Sequence, residues 1–256
     1  MPNVAIVAAL ERELRGLTRS WSRVEQRYDG RSFVFFERDE MVAVCGGIGT
    51  ESARRAAEAV IALYDPKQVQ SVGFAGALDA GLRVGDLFMP AVVIDARDGG
   101  RIEIDGPTGQ QPPERGVLVT FMAVAGVQQK ASLAQAYAAQ AVDMEAAAVA
   151  AAARSHGIAF SVTKVISDES GFEMPQMDRF IDASGRVSTA GFAAFVVLRP
   201  WLWRRVALLA NNSRKAAKAL SAHLERYRQQ LSQAPESDRV PVPESGTRSP
   251  AGVKRI

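Results

Sequence analysis

The segment AVDMEAAAVAAAARSHGIAFSVTKVISDE, residues 141–169, decides how this chain is read. It opens on two carboxylates, Asp143 and Glu145, and runs through alanines without a breaker as far as Gly157. Alanine and methionine favour helix, so a helix is predicted from Asp143 to His156, with Gly157 at the C′ position that ends it. Ala159 to Ile166 is then almost continuously apolar, the pattern of a strand covered on both faces. Ser167 and Asp168 follow at its carboxyl end, where open α/β sheets collect their ligands. An acid at a helix start and another just past the next strand could therefore face one cleft.

Outward from that segment, strands and helices alternate. Val4–Ala9 reads as a first strand, and Leu10-Glu11-Arg12-Glu13-Leu14 begins a helix that places Glu13 near the strand's carboxyl end. By spacing alone Glu11 and Glu13 also suit a helix N-terminus through the dipole. Ser32–Phe36 and Met41–Cys45 read as strands joined by a polar turn over 37–40. Gly46-Gly47-Ile48-Gly49-Thr50 feeds a helix near 51–64, and its backbone N–H groups could cradle an anion or a sugar hydroxyl. It has neither the Gly-Lys-Ser/Thr of a Walker loop nor a Rossmann fingerprint. Val69–Phe74 is a strand ending in Ala75-Gly76-Ala77, and Asp86 in Val-Gly-Asp secures a turn. Residues 95–115 read as a loop or irregular hairpin, 117–122 as a strand and 130–137 as a helix. This alternation predicts a three-layer α/β/α domain with a mixed central sheet over 1–189. A basic amphipathic helical extension is expected over 190–231, including the apolar run 192–198, and a disordered, proline-rich tail over 232–256.

Composition bounds the function. A hydrophobic share of 47% over 256 residues implies a packed core. A single cysteine, Cys45, excludes an internal disulfide and reads as a small strand residue rather than a nucleophile. No signal peptide or membrane-spanning run is read, so a cytoplasmic protein is expected. Residues 190–256 hold 12 Lys/Arg against 4 Asp/Glu, a net of +8, while 1–189 hold 19 against 24, a net of −5. Trp201, Trp203, Arg204 and Arg205 in the basic part could meet an anionic membrane surface, or form an ordinary helix packed on the domain or on a second subunit. With two histidines, His156 at a helix end and His223 in the basic part, neither a Ser/His/Asp triad nor a metal set is supported.

Three carboxylates at element ends remain: Glu13, Glu145 and Asp168. Several carboxylates around one cleft suit glycosyl chemistry, which needs one acid for the leaving group and another to activate a nucleophile. Val142-Asp143-Met144-Glu145-Ala146 followed by Ile166-Ser167-Asp168 resembles the paired signature of the nucleoside phosphorylase/nucleosidase superfamily. The resemblance runs in motif order over most of residues 3–170 and is closest to the methylthioadenosine/S-adenosylhomocysteine nucleosidases. It implies that Asp168 is the general acid toward purine N7, and that Glu13 positions the attacking water. It further implies that Glu145 binds the ribose hydroxyls with Met144 against the sugar, and that Ser167 supports Asp168. Met122 and Val124 would lie by the base, Gly47, Ile48, Gly49, Phe74, Ala75 and Gly76 would floor the site, and Lys164 stands where many relatives carry arginine. Asp143 reads as a helix-start residue. No cofactor is implied, the partner is a purine nucleoside, and a homodimer is expected.

Phe74 departs from the Ser or Thr frequent in relatives, and the basic extension is longer than usual. That extension and Phe74-Ala75-Gly76-Ala77-Leu78 resemble, more loosely, a hopanoid-associated branch linked to removal of adenine from an adenosylated lipid. Hydrolysis of a 5′-substituted adenosine is thus the expected reaction. The alternatives are a phosphate-dependent phosphorylase, left open by Arg12, Arg15 and Lys164, and a non-catalytic binding or membrane-associated scaffold.

Overall fold

The computed structural model describes residues 2–106, 116–173 and 200–233, with the single positions 180, 185, 188, 195 and 199. The expectations for 192–194, 196–198 and the tail beyond 233 lie outside the described residues, as does the side chain of Trp201.

In chain order the elements are β1 (Val4–Ala8), α1 (Glu11–Thr18), β2 (Ser22–Tyr28), β3 (Arg31–Arg38), β4 (Met41–Cys45), α2 (Thr50–Tyr64) and β5 (Gln68–Ala77). Then come β6 (Leu87–Phe88), β7 (Val92–Asp95), β8 (Arg101–Glu103), β9 (Val117–Thr120), α3 (Val127–Tyr137), β10 (Ala141–Asp143), α4 (Ala146–Ser155), β11 (Ala159–Asp168) and α5 (Pro200–Gln233). The strands form one mixed sheet in the order β2-β3-β4-β1-β5-β10-β9-β7-β8, with β11 on β5 and β6 on β11. β2 was not expected: its half-exposed, largely polar alternation is that of an edge hairpin strand, stabilised by pairing with β3 from Ser22 opposite Glu37 to Tyr28 opposite Arg31.

One difference from the sequence expectation matters for the site. Asp143 does not open the helix as expected: Ala141–Asp143 is a strand, parallel to β9 and antiparallel to the end of β5. The helix begins at Ala146, whose N–H donates to Asp143 Oδ2 at 2.8 Å, so Asp143 marks the helix start from three residues outside it. Helix propensity is overridden here because the backbone of 141–143 finds ladder partners on both sides. Gly157, at φ +66°, ends α4 as expected.

The sheet splits where the cleft forms. One edge of β5 pairs with β1 from Gln68 to Ser71, and the same strand meets β10 at Gly76 and Ala77. Between those stretches no described strand pairs beside β1 and β10, and Phe74 and Ala75 line a cavity there. The other edge is covered by β11 in parallel register.

Two apolar layers sandwich the sheet. Ala53, Ala56, Val60, Ala147, Val149 and Ala150 from α2 and α4 pack with the core strands on one face. On the other, Leu14 and Leu17 of α1 and Ala216, Leu220, Leu224, Tyr227 and Leu231 of α5 pack on Val4, Ile6, Val72 and Val165. Residues 216, 220, 224, 227 and 231 recur at helical spacing, so one stripe of α5 is buried. Each fully buried leucine there contributes about 1.5–3 kcal/mol. The second half of α5 is therefore a layer of the fold, while Trp203, Arg204 and Arg205 in its first half are exposed. Among the described residues no helix is long and apolar enough to cross a membrane.

Candidate active site

A cavity of about 1130 Å³ opens at the split in the sheet and receives Glu13, Glu145 and Asp168 together. Its walls bring Ala9 to Glu13, Gly46 to Ile48, Phe74 to Gly76, Val142 to Glu145 and Ser167-Asp168 into one place. Val206, Leu209 and Ala210 of α5 close another side.

Glu13 reaches the site from the first turn of α1. Its Oε2 accepts from the N–H groups of Ala9 and Leu10, each at 3.1 Å, so a helix-entry motif aims the carboxylate back toward the end of β1. Gly73, at φ +141°, lies beneath it: a Cβ there would come within 3.0 Å of Glu13 Oε2. Burial pushes the Glu13 carboxyl above its ordinary range, against the backbone N–H groups and the Lys164 and Arg12 charges that pull it down.

Glu145 is the N-cap of α4. Its Oε1 accepts from Gly49 N–H at 2.9 Å, and its Oε2 from Met144 N–H at 3.3 Å. The anion held by the glycine loop is thus the protein's own carboxylate. Gly47 and Gly49 carry φ of 101° and 95°, the left-handed region that glycine tolerates. Burial and the neighbouring Asp143 push Glu145 up to about 7, partly offset by Lys164.

Asp168 is aimed by a bulge. Ile166 pairs with Ala75 and Asp168 with Gly76, leaving Ser167 as an extra residue in β11. The bulge lets consecutive side chains, Ser167 and Asp168, both line the cavity where a regular strand would send them to opposite faces. Ser167 Oγ donates to Asp168 Oδ1 at 2.7 Å. The Val84-Gly85-Asp86 turn braces the bulge, with Gly85 N–H donating to Ile166 O and Ile166 N–H to Asp86 O, both at 2.9 Å.

Two buried lysines complete the electrostatics. Lys164, 1% exposed, pairs with Asp143 Oδ2 at 2.9 Å and donates to Ser71 Oγ at 3.2 Å. Asp143 Oδ1 in turn accepts from Thr120 Oγ1 at 2.7 Å. Burial works against the Lys164 charge, but Asp143, Glu145 and Glu13 outweigh it and raise its pKa. Lys130 of α3 pairs with Asp168 Oδ2 and donates to Glu169 O at 2.7 Å. Lys130 carries no sign of a site role in the sequence: one lysine among Gln and Ala gives no local signal of what it meets 38 residues later.

Of the remaining expected site residues, Met144, Val124, Gly47, Ile48, Phe74, Ala75 and Gly76 line the cavity. Gly49 contributes its N–H through Glu145. Met122 is 67% exposed and stands outside the lining. The Arg12 guanidinium lies 5.9 Å from the Phe74 ring centroid. Cys45 lines the cavity, and burial together with Glu13 and Glu11 pushes its thiol well up, which disfavours the thiolate a nucleophile needs. Among the described residues no group of three His, Cys, Asp or Glu side chains is placed to hold a metal ion.

Comparison with known proteins places this architecture. Residues 3–117 and 104–196 match the family model described as the phosphorylase superfamily. A 5′-methylthioadenosine/S-adenosylhomocysteine nucleosidase from Buchnera aphidicola is 28% identical over 90 residues, which are 34% of this chain and 38% of that protein. The match thus spans well under half of that relative's length. Among solved structures, 5′-methylthioadenosine nucleosidase of Arabidopsis thaliana aligns with a TM-score of 0.69 at 18% identity, over 93% of this chain and 100% of that one. 5′-Methylthioadenosine/S-adenosylhomocysteine nucleosidase and futalosine hydrolase of Helicobacter pylori each align at 0.62, with 19% and 18% identity, over 88% of this chain and 99% and 98% of theirs. These likenesses concern the fold, whereas the family model covers most of the sequence: the chain belongs to the phosphorylase superfamily.

Proposed function

We propose that the protein is a nucleosidase that hydrolyses the N-glycosidic bond of a 5′-substituted adenosine and releases adenine. The observation that carries this reading is the meeting of Glu13, Glu145 and Asp168 in one cavity, each in a different electrostatic setting. Cleavage passes through an oxocarbenium-like ribosyl cation, so the site needs a proton for the departing base, a base for the incoming water and a grip on the sugar. Asp168 delivers the proton to purine N7. Glu13, its carboxyl raised by burial, has the basicity to take a proton from water at C1′. Glu145 accepts from the ribose hydroxyls, with Met144 packed against the sugar. Val124 and Ser167 flank the base, and the two glycine turns with Ile48 and Phe74 bound the rest of the substrate. A purine nucleoside is then the small-molecule partner, and self-association as a dimer in the cytoplasm goes with the reading.

Water is favoured over phosphate as nucleophile because the buried Glu13 carboxylate would repel a phosphate dianion at the same place. The names of the Buchnera and Arabidopsis relatives support the 5′-methylthio class of substrate, and the futalosine hydrolase fold shows the same scaffold with a hydrolase of another name. The test is adenine release from methylthioadenosine, S-adenosylhomocysteine and adenosine, with and without phosphate. Release without phosphate is expected, and Asp168→Asn should slow it by about 10²–10⁴-fold while leaving the fold intact. Strict phosphate dependence would make the protein a phosphorylase. No release from any of the three would refute the reading.

A further inference from the structure

Lys130 is the least expected member of the cavity wall. It is 2% exposed, it is the one lysine of α3, and its ammonium touches Asp168 Oδ2 and the Glu169 carbonyl. The strand opposite leaves room for the pair: a Cβ on Gly76 would stand 2.9 Å from Asp168 Oδ2 and 3.2 Å from Lys130 Cε. Lys130 and Asp168 line the same cavity side by side.

Asp168 receives hydrogen bonds on both oxygens, from Ser167 Oγ on Oδ1 and from Lys130 on Oδ2. With both oxygens engaged in this way, Asp168 has no free proton aimed into the cavity for a departing base. The serine hydroxyl is far too weak an acid to supply one. Among the described residues, Lys130 is the titratable side chain that pairs with Asp168. Stability alone is a weak reason for such a pair, because taking both charges out of water costs about what their attraction returns.

We propose that Lys130 is the proton source for the leaving group, acting through Asp168, an inference that rests on the nucleosidase reading above. As the C1′–N9 bond breaks, its electron pair goes to the purine ring, and N7 takes a proton from Asp168. Asp168 takes the proton of Lys130 Nζ in the same step, which leaves a neutral amine beside a carboxylate. Water adds to C1′ and gives its proton to Glu13. Release of adenine opens the cavity to solvent, through which the Glu13 proton is lost and Lys130 is recharged, so the net change is addition of one water. Lys130 is a positioning and proton-supplying residue; Asp168 is the group that touches the base.

The experiment compares the full chain with Lys130→Arg and Lys130→Met on two substrates sharing one 5′ substituent. One is methylthioadenosine, and the other is the matching 4-nitrophenyl riboside, whose leaving group departs as a stable anion and needs no proton. Arginine keeps the charge and the hydrogen bonds to Asp168 but does not give up its proton. Both variants should lose about 10²–10⁴-fold in adenine release and stay within a few-fold of the parent in nitrophenolate release. Lys130→Arg guards against loss of folding in Lys130→Met, which leaves Asp168 buried and unpaired. Full adenine release by Lys130→Arg, or equal losses on both substrates, would overturn the inference and leave a structural ion pair. A parent protein that releases nitrophenolate but no adenine would overturn the proton transfer, and one that releases neither would overturn the nucleosidase reading itself.

Discussion

Replacing Lys164 with methionine isolates the charge that holds the other half of the cleft together. Lys164 Nζ lies 2.9 Å from Asp143 Oδ2, and the two side chains are 1% and 0% exposed. Methionine keeps most of the stem and removes the ammonium, so Asp143 is left in the core without a counter-ion. Breaking a buried pair from one side costs about 3–5 kcal/mol. For a protein of this size each kcal/mol is worth roughly 2–4 °C, so Tm should fall by on the order of 10 °C. The loss should be largely relieved by adding Asp143→Asn, which removes the orphaned charge. Relief will be incomplete, because asparagine keeps one acceptor oxygen where Asp143 uses Oδ1 for Thr120 and Oδ2 for Ala146 N–H. Urea denaturation at neutral pH of the parent, both single variants and the double variant measures the coupling directly, and a value of at least about 1 kcal/mol is expected. A Lys164→Met variant within about 0.5 kcal/mol of the parent, or a double variant whose loss is the sum of the singles, would refute this electrostatic account.

Two further outcomes follow from burial. Glu145 is pushed from an ordinary 4.5 to about 7, so between those values the folded state holds a proton the unfolded chain has released, and stability falls as pH rises through that window. Glu145→Gln lacks this loss. Its stability relative to the parent should improve by on the order of 3 kcal/mol from pH 4.5 to 8, and pH profiles of urea midpoints that run parallel would contradict the assignment. Leu220, fully buried where α5 meets α1 and the sheet, should cost about 2–5 kcal/mol when changed to alanine; a cost near zero would mean that α5 is not a layer of the fold.

Much of the fold is legible locally. The continuous apolar run of β11, the alanine stretch of α4 and Gly157 each carry their own period or stop signal, and the structure places them as read. β10 escaped because three residues have no period, and their helix-favouring neighbours speak louder than partners at 76–77 and 118–120. β2 escaped because an edge strand half open to water has little apolar signal to show.

The site divides along the same line. Residue type and motif order were enough to single out Glu13, Glu145 and Asp168, since carboxylates at element ends are visible in the chain itself. Which charges they meet was not visible. Lys130 and Asp168 are 38 residues apart, Gly49 and Glu145 are 96, and the bulge that turns Ser167 and Asp168 into one cavity exists only in register with β5. Local sequence sets the dihedral preferences and the burial pattern of each element, because those depend on neighbours within a few residues. The protonation, pairing and aim of a buried side chain depend on groups brought near by the packing of the whole sheet, and that was decided by the tertiary structure.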